Sequence, residues 1–131
     1  MKRIVTYGTF DIMHIGHINM LRRARGLGDE LYVGLSSDSF NMIKNKKSVL
    51  DYENRKIVLE SLRYVNFVFP EENWEQKHTD VKKYGIDTFV IGDDWEGKFD
   101  FLRDYCNVLY LPRTPSISTS MLKEKILKIA S

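Results

Sequence analysis

Short β-rich runs alternate with helix-spaced runs along the whole chain, and this alternation restricts the fold more than any other feature. Arg3–Tyr7, Glu30–Ser36, Val65–Phe69, Asp87–Ile91 and Asn107–Leu111 read as five strands, the third stopped by Pro70 and the fifth by Pro112. Between them, residues 17–27 place Met20, Ala24 and Leu27 at helical spacing with Gly28 as C-cap. Asp51–Arg63 reads as a helix with Val58, Leu59 and Leu62 inward, and Trp74–Tyr84 as another, closed by Gly85. Lys98–Tyr105 reads as a short helix and 118–129 as a last one, with Leu122, Ile126 and Ile129 on one face; 37–50 reads as mainly loop. Such alternation implies right-handed βαβ units and a doubly wound α/β domain on a five-stranded parallel sheet. One domain, 1–131, is expected, with no repeat or linker.

The charge balance narrows the function classes. Twenty basic against 18 acidic residues leave +2, so bulk charge gives no case for wrapping nucleic acid or coating an anionic membrane. No run approaches the roughly 18 apolar residues of a membrane span. MKRIVTYGTFD lacks the continuous apolar core of a secretory signal. Cys106 is the one cysteine, so no internal disulfide is possible and a reducing compartment is expected. The expectation is a cytoplasmic protein.

In sheets of this type ligands bind beyond the carboxyl ends of the strands. Segments 8–17, 92–98 and 113–120 follow strand ends and carry polar chemistry, and a lysine loop with Lys44, Lys46 and Lys47 can reach the same edge. The most informative stretch is Gly8-Thr9-Phe10-Asp11-Ile12-Met13-His14-Ile15-Gly16-His17. Gly8 allows a sharp turn off the strand. His14 and His17 at a helix start fall on one side, with Gly16 admitting a ligand to the backbone; helix-start amides favour anions, so the pair suits a phosphate. The same pair also suits a structural role or half of a metal site, but zinc would need more ligands, and His78 and Cys106 are the remaining candidates.

Arg113-Thr114-Pro115-Ser116-Ile117-Ser118-Thr119-Ser120 opens the last helix. Its hydroxyls either cap that helix or help hold a triphosphate tail, with Arg113 as a fixed cationic fork. The lysines of 44–47 are a solvated loop unless they meet the histidines. Arg55 and Arg63, two turns apart, fall near one face of their helix, although Arg63 also suits neutralising that helix's C-terminus. Asp93, Asp94 and Trp95 either hold a base or ribose or build a turn, and Trp74 alone reads more readily as core.

G-T-F-D…H-x-G-H with R-T-x…I-S-T-S resembles the cytidylyltransferase branch of the nucleotidyltransferase superfamily. R-Y-V at 63–65, N-W-E-Q-K at 73–77, G-D-D-W-E-G-K-F-D-F at 92–101 and Y-L-P-R-T-P at 110–115 are similar to the family of bacterial glycerol-3-phosphate cytidylyltransferases. The resemblance covers essentially the whole chain. It implies a Rossmann-like homodimer with magnesium accompanying the nucleotide. It further implies CTP across Thr9, Phe10, His14, Ile15, Gly16 and His17, with Lys46, Asp94, Arg113, Thr114, Ser118, Thr119 and Ser120. Lys44 and Lys77 are then expected at glycerol 3-phosphate, with Arg55, Arg63 and Trp74 beside it and Asp11 in support. CDP-glycerol, the implied product, feeds teichoic acid synthesis in Gram-positive cell walls. Two departures stand out: Asn66 replaces a frequent Asp near the dimer contact, and only Ser116 separates R-T-P from the I-S-T core.

The expected reaction is attack of a glycerol 3-phosphate oxygen on the α-phosphorus of CTP, with His14, His17, Lys44, Lys46 and Arg113 as the catalytic set. The acceptor phosphate is largely a dianion near neutral pH, its second pKa being about 6, so no general base is required. Transfer of an adenylyl group, or of CMP to phosphocholine or phosphoethanolamine, is the nearest alternative; Trp74 and Trp95 offer aromatic faces for a choline. A non-catalytic nucleotide or RNA binder is the alternative from another class, and the near-zero net charge weighs against it.

Overall fold

The computed structural model describes residues 1–115 and 117–130, so the shortened stretch at Ser116 lies outside the described residues. Five strands, β1 (Arg3–Gly8), β2 (Glu30–Ser36), β3 (Phe67–Glu71), β4 (Thr88–Gly92) and β5 (Asn107–Leu111), pair in the order β3-β2-β1-β4-β5. Every pairing is parallel. The order reverses at β1, which places a crevice at its carboxyl end, beside that of β4.

The sheet is covered on both faces, which is why the strands read as continuous apolar runs. Strand side chains alternate between faces. Ile4, Leu31, Val33, Leu35 and Val90 pack on one side with Leu21 and Ala24 of α1 (Ile15–Arg25) and Leu59 of α3 (Tyr52–Glu60). Val5, Tyr7, Phe89, Ile91 and Val108 pack on the other with Val81 of α4 (Gln76–Lys83), with Leu102 of a 3-10 stretch (Asp100–Asp104) and with Phe99 just before it. Asn66 pins the start of β3, its Oδ1 accepting the amide of Leu31 at 2.9 Å; an aspartate would supply the same acceptor.

Several local expectations are corrected. Residues 37–50 are not mainly loop: Asp38–Ile43 forms α2, capped by Ser37, whose Oγ accepts the Phe40 amide at 3.1 Å, and anchored by fully buried Phe40. The sequence signal was the Ser37 cap followed by one deep aromatic. α1 starts earlier than expected, with His14 as N-cap, and ends at Arg25 with Gly26 as C-cap, so Leu27 falls beyond it and is exposed. β3 runs through Pro70, tolerated because β3 is an edge strand with one side of its ladder free. On α3 the inward positions are Arg55 and Leu59 rather than Val58, and Arg63 lies beyond the helix end. α4 begins at Gln76, leaving Trp74 in the loop before it. α5 (Thr119–Ala130) buries none of its residues. No helix is long and apolar enough to cross a membrane among the described residues.

Candidate active site

The loop after β1 is held in a strained shape. Phe10 and Ile12 have φ of 48° and 47°, a region that costs any L-residue and a β-branched one most. Gly8 is spared a side chain for a packing reason, not a turn: a Cβ there would stand 2.9 Å from the Phe10 ring. Asp11, 3% exposed, fixes the loop from inside. Its carboxylate accepts the amides of Val49 at 2.6 Å and Leu50 at 3.0 Å and pairs with Lys123 at 3.2 Å. Burial pushes that carboxyl up, but the two amides and Lys123 outweigh it and hold it below the usual carboxylate range.

His14 and His17 close the start of α1 on each other. Nδ1 of His14 accepts the Gly16 amide at 3.0 Å, and Nδ1 of His17 accepts the His14 amide at 3.2 Å. The two rings stack with centroids 3.8 Å apart. With both Nδ1 atoms accepting, each neutral ring carries its proton on Nε2, ready to donate. Burial, then the neighbouring His14 and Arg113, lower the His17 pKa to about 4 against the pull of Asp11. Burial and then Arg113 lower that of His14. Both imidazoles are therefore uncharged near neutral pH in the free protein. Gly16 makes the stack possible, since a Cβ there would stand 2.7 Å from Cε1 of His14.

The second segment meets the first from β5. Thr119 donates its hydroxyl to the Asp11 carbonyl at 2.9 Å, tying the start of α5 to the β1 loop. Ser118 caps α5 by accepting the Met121 amide at 3.2 Å, and Thr114 accepts from Asn19 at 3.2 Å. Arg113, largely exposed, stands 4.0 Å from Asp94. Lys123 also donates to the Lys47 carbonyl at 2.9 Å, so α5, the lysine loop and Asp11 lock together.

Between these parts lies a cleft of about 380 Å³ at the carboxyl edge of the sheet. It is lined by Thr9, Phe10, His14, Gly16, His17, Lys46, Asp94, Arg113, Thr114, Ser118, Thr119 and Ser120, together with Asp11. Two helix starts and several cations converge there, a setting that favours a polyanion. Sequence reasoning missed Arg23 and Lys123, which also line it. Lys123 had a local signal, one turn after Thr119 on α5; Arg23 had none.

Six expected residues lie outside this lining. Ile15 points outward and is half exposed. Arg55 is fully buried, with Nη1 donating to the carbonyls of Thr9 at 3.0 Å and Ser36 at 2.8 Å, Nε to that of Leu50 at 3.0 Å and Nη2 to Asp38 at 2.7 Å. It clamps the loops that frame the cleft and has no free face for a substrate. Arg63 is exposed beyond α3 and lies over Tyr64, so it shares no face with Arg55. Lys77 is 1% exposed and paired with Glu71 at 2.5 Å. The Tyr7, Trp74 and Phe99 rings surround its ammonium at 4.7, 5.3 and 5.3 Å. Trp74 packs edge-on against Phe40. Lys44 is half-buried behind Thr9, donating to Ser36 at 2.7 Å and approaching Thr9 Oγ1 at 3.4 Å.

Three comparisons bear on this geometry. The family model described as cytidylyltransferase-like matches residues 5–125. Glycerol-3-phosphate cytidylyltransferase of Bacillus spizizenii is 60% identical over 95% of this chain and 96% of its own length. The Staphylococcus aureus protein of the same name is 59% identical over 96% of each. Among solved structures, a lipopolysaccharide core biosynthesis protein from Thermoplasma volcanium superposes with a TM-score of 0.74 at 24% identity, covering 87% of this chain and 98% of its own, which bears on the fold alone.

Proposed function

This chain belongs to the cytidylyltransferase-like family, and we propose that it transfers CMP from CTP to sn-glycerol 3-phosphate, giving CDP-glycerol and pyrophosphate. The observation that carries the reading is the convergence of the His14/His17 helix start with Arg113, Thr114 and Ser118–Ser120 on one cleft.

A phosphate oxygen of glycerol 3-phosphate attacks the α-phosphorus of CTP. The new P–O bond forms as the bond to the β-phosphate oxygen breaks, and pyrophosphate leaves in line. The nucleophile arrives largely ionised, so catalysis reduces to positioning and charge stabilisation. The Nε2–H groups of His14 and His17 donate to phosphate oxygens as negative charge builds. Being neutral beforehand, they add donors without adding to the positive charge already gathered in the cleft. Lys46 and Arg113 hold the triphosphate, and the start of α5 at Thr119 and Ser120 presents backbone amides to the leaving group. Lys44 approaches from behind Thr9 and takes the acceptor phosphate, offsetting repulsion between the two anions.

Magnesium fits this cleft through Asp94, a half-exposed carboxylate whose nearest cation, Arg113, is at 4.0 Å; the two Asp11 oxygens are already engaged. Held by Asp94 and the nucleotide, the ion would neutralise phosphate charge. The aromatic faces that a choline would need around Trp74 surround Lys77 instead, which favours a hydroxyl-bearing anionic acceptor. Met121, Ile126 and Ile129 of α5 and Ile57 of α3 are each more than half exposed, apolar surface that a second copy in a homodimer would cover.

Pyrophosphate release by the purified protein tests the reading, with CTP, magnesium and glycerol 3-phosphate beside ATP and phosphocholine controls. Release only with CTP plus glycerol 3-phosphate is expected. Equal release with phosphocholine would overturn the acceptor assignment.

A further inference from the structure

Glu71, at the carboxyl end of edge strand β3, belongs to no motif in the sequence, yet it joins two lysines beside the cleft. The residue is 3% exposed. Oε2 lies 2.5 Å from Nζ of Lys77, and Oε1 accepts the Ser36 hydroxyl at 3.0 Å. Ser36 Oγ in turn accepts from Nζ of Lys44 at 2.7 Å. The donors run in one direction, from Lys44 through Ser36 to Glu71, and Lys77 closes the far side. Lys77 is enclosed by three aromatic rings, whereas Lys44 ends beside Thr9, which lines the cleft. One buried carboxylate thus sits between an enclosed ammonium and one just behind Thr9 in the cleft wall.

We infer that Glu71 is a positioning residue for the acceptor phosphate: through Ser36 it holds the Lys44 ammonium at the edge of the cleft, with Lys77 as its fixed counter-ion behind. The inference rests on the acceptor being an anion bound beside Lys44, as proposed above. Its physical basis is a balance of charges. Lys44 loses hydration on burial and faces Lys46 from its own loop, Lys77 from α4 and Arg55 from α3, all of which disfavour its charge; Glu71 from β3 is the group that opposes them. The balance lowers the Lys44 pKa to about 8, close enough to neutrality for one lost carboxylate to matter.

The test is Glu71→Gln, which keeps the shape and removes the charge, with Ser36→Ala as the milder variant that cuts the link to Lys44 and leaves the Glu71–Lys77 pair. Lysine ¹³Cε NMR titration of the free protein reads Lys44 directly, and steady-state kinetics read each substrate. In Glu71→Gln, Lys44 is expected to titrate at lower pH than in the wild type. The fall of kcat/KM for glycerol 3-phosphate with rising pH should move the same way. At pH 7.5 Ser36→Ala should lose roughly tenfold in kcat/KM for glycerol 3-phosphate, the effect of losing one hydrogen bond to a charged group, Glu71→Gln should lose more, and both should stay within about twofold for CTP. An unmoved Lys44 titration in Glu71→Gln would overturn the inference, as would equal losses for both substrates. Absence of wild-type turnover with CTP and glycerol 3-phosphate would instead overturn the acceptor assignment, and the titration, which needs no substrate, would still decide whether Glu71 holds Lys44.

Discussion

The imidazoles of His14 and His17 stack 3.8 Å apart, each with its Nδ1 already accepting a backbone amide from the start of α1. This reciprocal cap sets the tautomer of both rings and leaves two Nε2–H donors at the mouth of the helix. The residues that would bind phosphate are the same ones that begin the helix, so folding itself fixes the donors in place.

His17→Ala removes one donor and one cap. Loss of a donor to developing charge typically costs about 10²–10³ in turnover, and loss of a cap about 1 kcal/mol of stability. The expected variant is folded by circular dichroism, melts slightly lower and turns over at least a hundredfold more slowly. A near-normal turnover number would remove His17 from the mechanism.

The same histidine makes stability depend on pH. Its folded-state pKa, about 4, lies below the unfolded value of 6.5. Above pH 6.5 it is neutral in both states. Between 6.5 and 4 the unfolded chain takes up a proton that the folded chain refuses, so stability falls as pH falls through that window. The loss is at most about 3 kcal/mol, before solvent screening of a side chain that is not fully enclosed. Urea denaturation between pH 7 and 4.5 should show this slope, and His17→Gln should flatten it.

Gly16→Ala tests the stack by geometry. The new methyl would stand 2.7 Å from Cε1 of His14, so the ring must swing away and lose its bond from the Gly16 amide. Turnover should fall about as far as in His14→Ala, with the His14 ring signals shifted in the NMR spectrum and those of the sheet unchanged.

Arg55→Lys separates a clamp from a substrate contact. The guanidinium binds three carbonyls and Asp38 from a fully buried position, and an ammonium cannot span that set. Stability should drop by about 3 kcal/mol or more, as when a buried charged network is broken. The change should appear in chemical denaturation, and any rise in KM should track partial unfolding rather than one substrate.

The sequence by itself determined the strand order along the chain, the parallel sheet and the two polar segments that meet at the cleft. Those features are local: a strand or helix period shows within a dozen residues, and Gly8–His17 and Arg113–Ser120 each follow a strand end that the pattern marks. What it left open is what each cation does. Lys44, Lys46, Lys77, Arg55 and Arg63 look alike in a linear reading, and the resemblance grouped them at the substrates. Tertiary structure divided them. Arg55 was drawn inside by carbonyls 5 to 46 residues away, Lys77 was paired with a carboxylate on an edge strand and enclosed by three rings, and Arg63 was left on the surface. Only Lys46 reached the cleft lining, and only Lys44 stopped just behind it. A charge acquires its role from the dipoles and counter-charges around it, and those come from strands and loops distant in sequence, which a local pattern does not encode.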